Sequence, residues 1–130
     1  MEIRKDLTAE WDRAGVEEGF EYAILTNEIS KASFGITTGQ HKKVKGLKKE
    51  SLRDNMTNAE LVINMLGELA TTEISKVENP EGFEESNDVT IDGGCIVGNA
   101  RRELESRTGK KIVSSKNAKN PKLLDEKLDD

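Results

Sequence analysis

The stretch TNAELVINMLGELATTEISKVENP, residues 57–80, decides the fold class. It opens with Thr57 and Glu60 in capping-box spacing, in which the threonine hydroxyl serves the amide three residues on and the glutamate returns the bond. Behind the box, Ile63, Leu66, Ala70, Ile74 and Val77 recur at steps of three and four, and Val62, Met65 and Leu69 widen the stripe. Such spacing predicts a helix, and so broad an apolar face predicts a central one, packed on more than one neighbour. Asn79-Pro80 ends it, because proline cannot continue the backbone ladder.

Outward from this helix the chain reads as shorter helices parted by Gly, Thr and Asn. Thr8 is expected to cap a brief helix through Ala14, with Gly15 as its stop and Trp11 docked on the body. Tyr22, Leu25, Ile29 and Ala32 predict a helix over 20–34, closed by a left-handed Gly35. Thr37 opens a short basic helix around His41 to Lys45, broken by Gly46, with Leu47 and Leu52 anchoring a charged excursion. Downstream, Ser86 is expected to cap the next element. Val89, Thr90 and Ile91 are β-branched and weaken a helical reading there. From Gly94 a helix is expected to Thr108-Gly109, with Ile96, Val97, Ala100 and Leu104 on one face. Lys110 to Val113 reads as a short extended piece pinned by Ile112. The expectation is an all-α bundle of about five helices with a short extended C-terminal segment. Residues 1–118 form one domain and 119–130 a flexible, acidic-ended tail.

At 130 residues the chain supports one domain. Leu, Ile, Val and Phe make up roughly 23% of it, just above the range in which chains stay disordered, so the core is lean. No run approaches the ~20 apolar residues of a spanning helix, which excludes a membrane span. A single cysteine, Cys95, excludes an internal disulfide. With no basic-then-apolar leader, the expected setting is cytoplasmic.

The net charge of -5 is distributed in blocks: residues 1–28 carry -5, Lys31 adds +1, 37–53 carry +5, 54–92 carry -9, 101–122 carry +6, and 123–130 carry -3. A folded chain that brings 37–53 and 101–122 together would own one positive face. Lys42, Lys43, Lys45, Lys48, Lys49 and Arg53 are the best contact candidates, and Arg101 and Arg102 are candidates to extend the patch. No aromatic residue is interleaved with them, which weakens a single-strand stacking platform.

Catalytic and cofactor readings find little. Gly93-Gly-Cys-Ile-Val-Gly98 lacks the Gly-Lys-Ser/Thr of a phosphate loop and the strand of a dinucleotide loop. Gly94 and Gly98, one above the other on a helix, instead predict close approach of a second helix. His41, alone beside lysines, makes neither a metal site nor a catalytic dyad, and a solvated or capping role is expected. Cys95 is expected to be a small buried filler. No carboxylate pair is singled out for acid–base work. Neither cofactor nor metal is therefore expected, and no enzymatic activity.

Several runs resemble the C-terminal domain of the DNA-damage-inducible protein D family, which also occurs behind BRO-type domains in phage antirepressor-like proteins. They are Leu7 to Gly15, Glu21 to Gly35, Lys45-Gly-Leu-Lys-Lys-Glu-Ser-Leu-Arg-Asp-Asn-Met-Thr57, Ala70 to Ile74, Gly82 to Glu85, Gly93 to Gly98 and Thr108-Gly109. The resemblance implies a helical domain without catalytic residues, set in the SOS response or prophage regulation. From it follows the expectation of a regulatory domain that docks on a protein partner, such as a recombinase filament or a repressor. Direct DNA binding through 42–53 is the alternative, and pairing with a second copy is also open because the core is lean.

Overall fold

Five α-helices and one short 3-10 turn account for the regular structure of residues 2–118, the part of the chain that the computed structural model describes. They are α1 (Ile3–Arg13), α2 (Phe20–Phe34), α3 (Thr38–Val44), α4 (Asn58–Glu78) and α5 (Gly82–Thr108), with the 3-10 turn at Arg53–Asn55. No strand occurs among the described residues, so the fold is an all-α bundle. The expected tail, 119–130, lies outside them.

Several local signals act where they stand in the sequence. Thr57 and Glu60 form both bonds of the capping box at the start of α4, and Thr37 and Gln40 do the same for α3. Gly35 closes α2 in the left-handed region, and Asn79 closes α4 there ahead of Pro80. α4 and α5 form an antiparallel hairpin across Pro80. α2 lies along α5, and α1 lies along α4.

Two expected boundaries move. α1 begins at Ile3, and Thr8 sits inside it with its hydroxyl bonded back to the carbonyls of Arg4 and Lys5. Nothing in residues 3–7 breaks a helix, and Leu7 with Trp11, four apart, gives it a buried face. α5 begins at Gly82, so Ser86 lies within it and caps nothing. The β-branched Val89 and Thr90 are buried on neighbouring helices, whose packing outweighs their weak helix preference. Residues 110–113 carry no regular secondary structure, and Ile112, together with Val113, pins them to the bundle as expected.

Two apolar clusters form the core. One gathers Leu7, Trp11, Ala14, Val16, Leu25 and Ile29, with Trp11 and Tyr22 rings 5.2 Å apart. The other gathers Phe34, Ile63 and Val97 under Ile36, Met56, Ile112 and Val113. Between them the helices approach through small residues. A Cβ on Gly94 would stand 2.5 Å from that of Ala32, one on Gly98 would collide with the Ala32 carbonyl, and one on Gly93 would meet the Thr71 backbone. The Gly94/Gly98 spacing therefore does what it predicts.

α4 is the central helix expected, packed on α1, α2 and α5, but the close approach changes which residues face inward. Its inward face consists of Glu60, Ile63, Gly67, Glu68, Thr71, Thr72 and Ser75. Val62, Leu66, Leu69 and Val77 are exposed, because a gap sized for glycine and threonine leaves no room for leucine. On α5, Val97 is buried while Ile96 and Leu104 are exposed.

Gly98→Ala separates two effects of opposite sign. Helix propensity alone favours alanine by about 1 kcal/mol, whereas overpacking costs about 1–3 kcal/mol. Urea denaturation is expected to show Gly98→Ala destabilised by up to about 2 kcal/mol, the difference of the two. A variant about 1 kcal/mol more stable than wild type, the full gain in propensity, would mean that α2 and α5 are not in contact there.

Candidate interaction surface

Glu60 organises the end of the bundle that carries the lysine-rich segment. Its side chain is fully buried and takes four donors. Oε1 accepts from the Lys45 ammonium and from the Thr57 amide at 2.9 Å. Oε2 accepts from His41 Nε2 at 2.7 Å and from the Ser114 amide at 3.0 Å. Burial raises its pKa, but the bonds from His41, Lys45, Thr57 and Ser114 outweigh burial and hold it at about 2. The Lys45 ammonium in turn donates to Glu60, to the Ser114 carbonyl at 2.8 Å and to the Lys116 carbonyl at 2.6 Å. That uses all three of its protons.

These bonds fasten the C-terminal segment onto the lysine-rich one. Asn117 donates to the Lys45 carbonyl at 2.8 Å, and the Ala118 amide donates to Asn55 Oδ1 at 2.9 Å. The Ile112 amide donates to Glu105 at 2.9 Å. Two basic blocks far apart in the chain thus meet at one end of the molecule.

The eight candidate residues divide sharply. Lys43, Lys48 and Lys49 are exposed and Lys42 half-buried, and none of the four makes an ion pair or side-chain hydrogen bond among the described residues. Glu50 accepts from the backbone amides of Lys48 and Lys49, which fixes the turn that presents them. Lys45 does not belong with them, since it is sealed inside with Glu60. Arg53 is half-buried and paired with Glu68 at 3.0 Å, opposite Arg4, which takes the other carboxylate oxygen at 3.2 Å. Arg101 is buried, with its Nε on the Ser33 carbonyl at 2.6 Å and its Nη1 on Glu105 at 2.8 Å. Arg102 is exposed, bonded to Asn99, and borders a shallow cleft with Lys110 and Lys111.

Lys110 and Lys111 are cations that residue-by-residue reading passed over. They line a second cleft with Thr57, Leu104, Ile112 and Lys116. Their signal was present in the positive block 101–122.

Two further expectations fall. His41 is neither solvated nor a cap: it is buried against Phe34, ring centroids 4.9 Å apart, and bonded to Glu60. Cys95 is exposed, because the buried face of α5 runs through Gly93, Gly94, Val97 and Gly98. Among the described residues no group of three His, Cys, Asp or Glu side chains is placed to hold a metal ion, and no helix is long and apolar enough to cross a membrane.

The model of the DinD C-terminal domain family matches residues 1–120. The chain belongs to this family. The DinD domain is therefore the all-α bundle described above, and its context is that of DNA-damage-inducible proteins. No curated protein and no solved structure matches the chain.

Glu60→Gln removes the charge that Lys45 needs. Leaving one buried partner alone costs about 3–5 kcal/mol, the loss expected in urea denaturation at pH 7. The pH dependence follows from a folded-state pKa near 2 against 4.5 for the unconstrained group. The contribution of ionised Glu60, about 3 kcal/mol, is complete above pH 4.5 and disappears as pH falls towards 2. The stability gap between wild type and Glu60→Gln should therefore close over that window. A gap independent of pH would show that Glu60 is not the ionised partner.

Proposed function

We propose that the DinD domain of this chain is a non-enzymatic regulatory module that docks on an acidic surface of a protein partner. A recombinase filament or a phage repressor fits the DNA-damage and prophage setting of the family, and the working compartment would be the cytoplasm. One observation carries the reading. Of the six cations in 37–53, Lys45 and Arg53 are committed to buried glutamates, whereas Lys42, Lys43, Lys48 and Lys49 have no carboxylate partner among the described residues, on a backbone that is tied down on both sides. Leu47, buried beneath the turn, and the left-handed Gly46 hold the segment in shape. With the backbone already held, docking orders only the lysine side chains, at about 0.5–1.5 kcal/mol each.

Direct DNA binding is the second reading, and a separate observation favours it. The Lys45 and Asn117 bonds draw the C-terminal segment, with Lys110 and Lys111 just before it, to the same end of the bundle. That widens the positive surface beyond four lysines. The net charge of -5 and the acidic block 54–92 favour the protein partner, since binding to many phosphates would bring that block near the duplex.

The test replaces Lys42, Lys43, Lys48 and Lys49 together with Glu. Stability should change by no more than about 0.5 kcal/mol per site, since all four lack internal partners. In affinity capture from a DNA-damaged host, proteins held by the wild type should be lost by the variant. Binding should also weaken steeply as salt rises from about 50 to 200 mM. Recovery of the same proteins by both forms would rule the lysine face out as the contact. A gel shift with plain duplex DNA, lost in the variant, would favour the second reading.

A further inference from the structure

We propose that the outward face of α4, with Ile96 of α5 beside it, is where two copies of this chain pair. The apolar stripe of α4 is divided, with Ile63 and Ala70 packed on the core and other aliphatic side chains turned outward. Gly67, Glu68, Thr71, Thr72 and Ser75 face inward, while Val62 is 62%, Leu66 41% and Leu69 40% exposed. Residues 62, 66 and 69 fall on one stripe of the helix, and no charged side chain interrupts it before Glu73. Gly93 of α5 stands against Thr71 of the antiparallel α4. Three residues on, Ile96 is therefore level with Glu68, between Leu66 and Leu69, and it is 57% exposed. The four side chains make one apolar patch along the early and middle turns of α4, with exposed Ala59 at its N-terminal edge.

The size of the patch selects the occupant. From their exposed fractions the four aliphatic side chains offer on the order of 350 Å² per copy, within the range of the largest patches on monomers, which are often functional. Two copies together bury about 700 Å² of aliphatic surface. With a polar rim this reaches the ~1,200 Å² at which specific interfaces begin.

The lack of charge on the stripe argues the same way. A strongly basic or acidic partner would find nothing to pair with between Asn58 and Glu73, whereas an identical stripe finds its match. An antiparallel two-fold pairing sets Leu66 against Leu69 of the second copy and Leu69 against its Leu66.

This surface is separate from the lysine face, and sedimentation equilibrium of the full chain tests it. The wild type should show twice the 14.4 kDa of one chain within about 1–100 µM. The double variant Leu66→Glu, Leu69→Glu should sediment at one chain's mass with unchanged helical circular dichroism. Val62→Lys, at a more exposed site, should weaken pairing at least roughly tenfold. The quadruple lysine-to-glutamate variant should still pair. A wild type monomeric throughout the range would overturn the proposal. So would a double variant that still pairs, a quadruple variant that does not, or a mass that keeps rising past two chains.

Discussion

A single carboxylate inside the bundle holds together parts of the chain that local preference would leave apart. Glu60 lies in the first turn of α4, where the capping box already needs it. Burying a charge costs several kcal/mol, and the pair it forms offsets that cost only when every remaining donor and acceptor is satisfied. Glu60 and Lys45 meet the condition, while Nδ1 of His41 beside them is buried without a hydrogen-bond partner among the described residues. Glu60 takes Lys45, His41, Thr57 and Ser114, and Lys45 adds two carbonyls of the C-terminal segment. One residue thus caps a helix, seats the basic turn and anchors the segment that follows α5.

The second constraint is spatial. α5 is a 27-residue helix that lets α2 and α4 approach through Gly93, Gly94 and Gly98. So close a packing has little space for aliphatic bulk. The core therefore divides into two clusters joined by a layer of small and polar residues, and the large side chains of α4 turn outward. The lean composition and the exposed leucines have the same cause.

Much of this is legible in the sequence wherever the signal and its effect lie within a few residues. Both capping boxes, the left-handed Gly35, the stop at Asn79-Pro80 and the glycine spacing on α5 are of that kind. Cys95 was within reach too, since one helical step from Gly94 carries it off the buried face. Lys45 was not. Its neighbours Lys43 and Lys48 are of the same chemical type, and only partners at positions 60, 114 and 116 set it apart. His41 and Arg101 were hidden in the same way, by partners 19 and 68 positions distant. The outward turn of Val62, Leu66 and Leu69 on α4 escaped because periodicity reveals which residues share a side of a helix, but not which side faces in. The family resemblance identified the domain and its context, but supplied no set of contact residues.

A double-mutant cycle on Lys45→Met and Glu60→Gln, read by urea denaturation at pH 7, tests the central claim most directly. If the two groups are each other's buried partners, the losses of the single variants should overlap, with a coupling of about 2 kcal/mol or more. Losses that simply add, leaving a coupling below about 0.5 kcal/mol, would show that the ammonium and the carboxylate act independently. The basic turn and the C-terminal segment would then be held by something other than this pair.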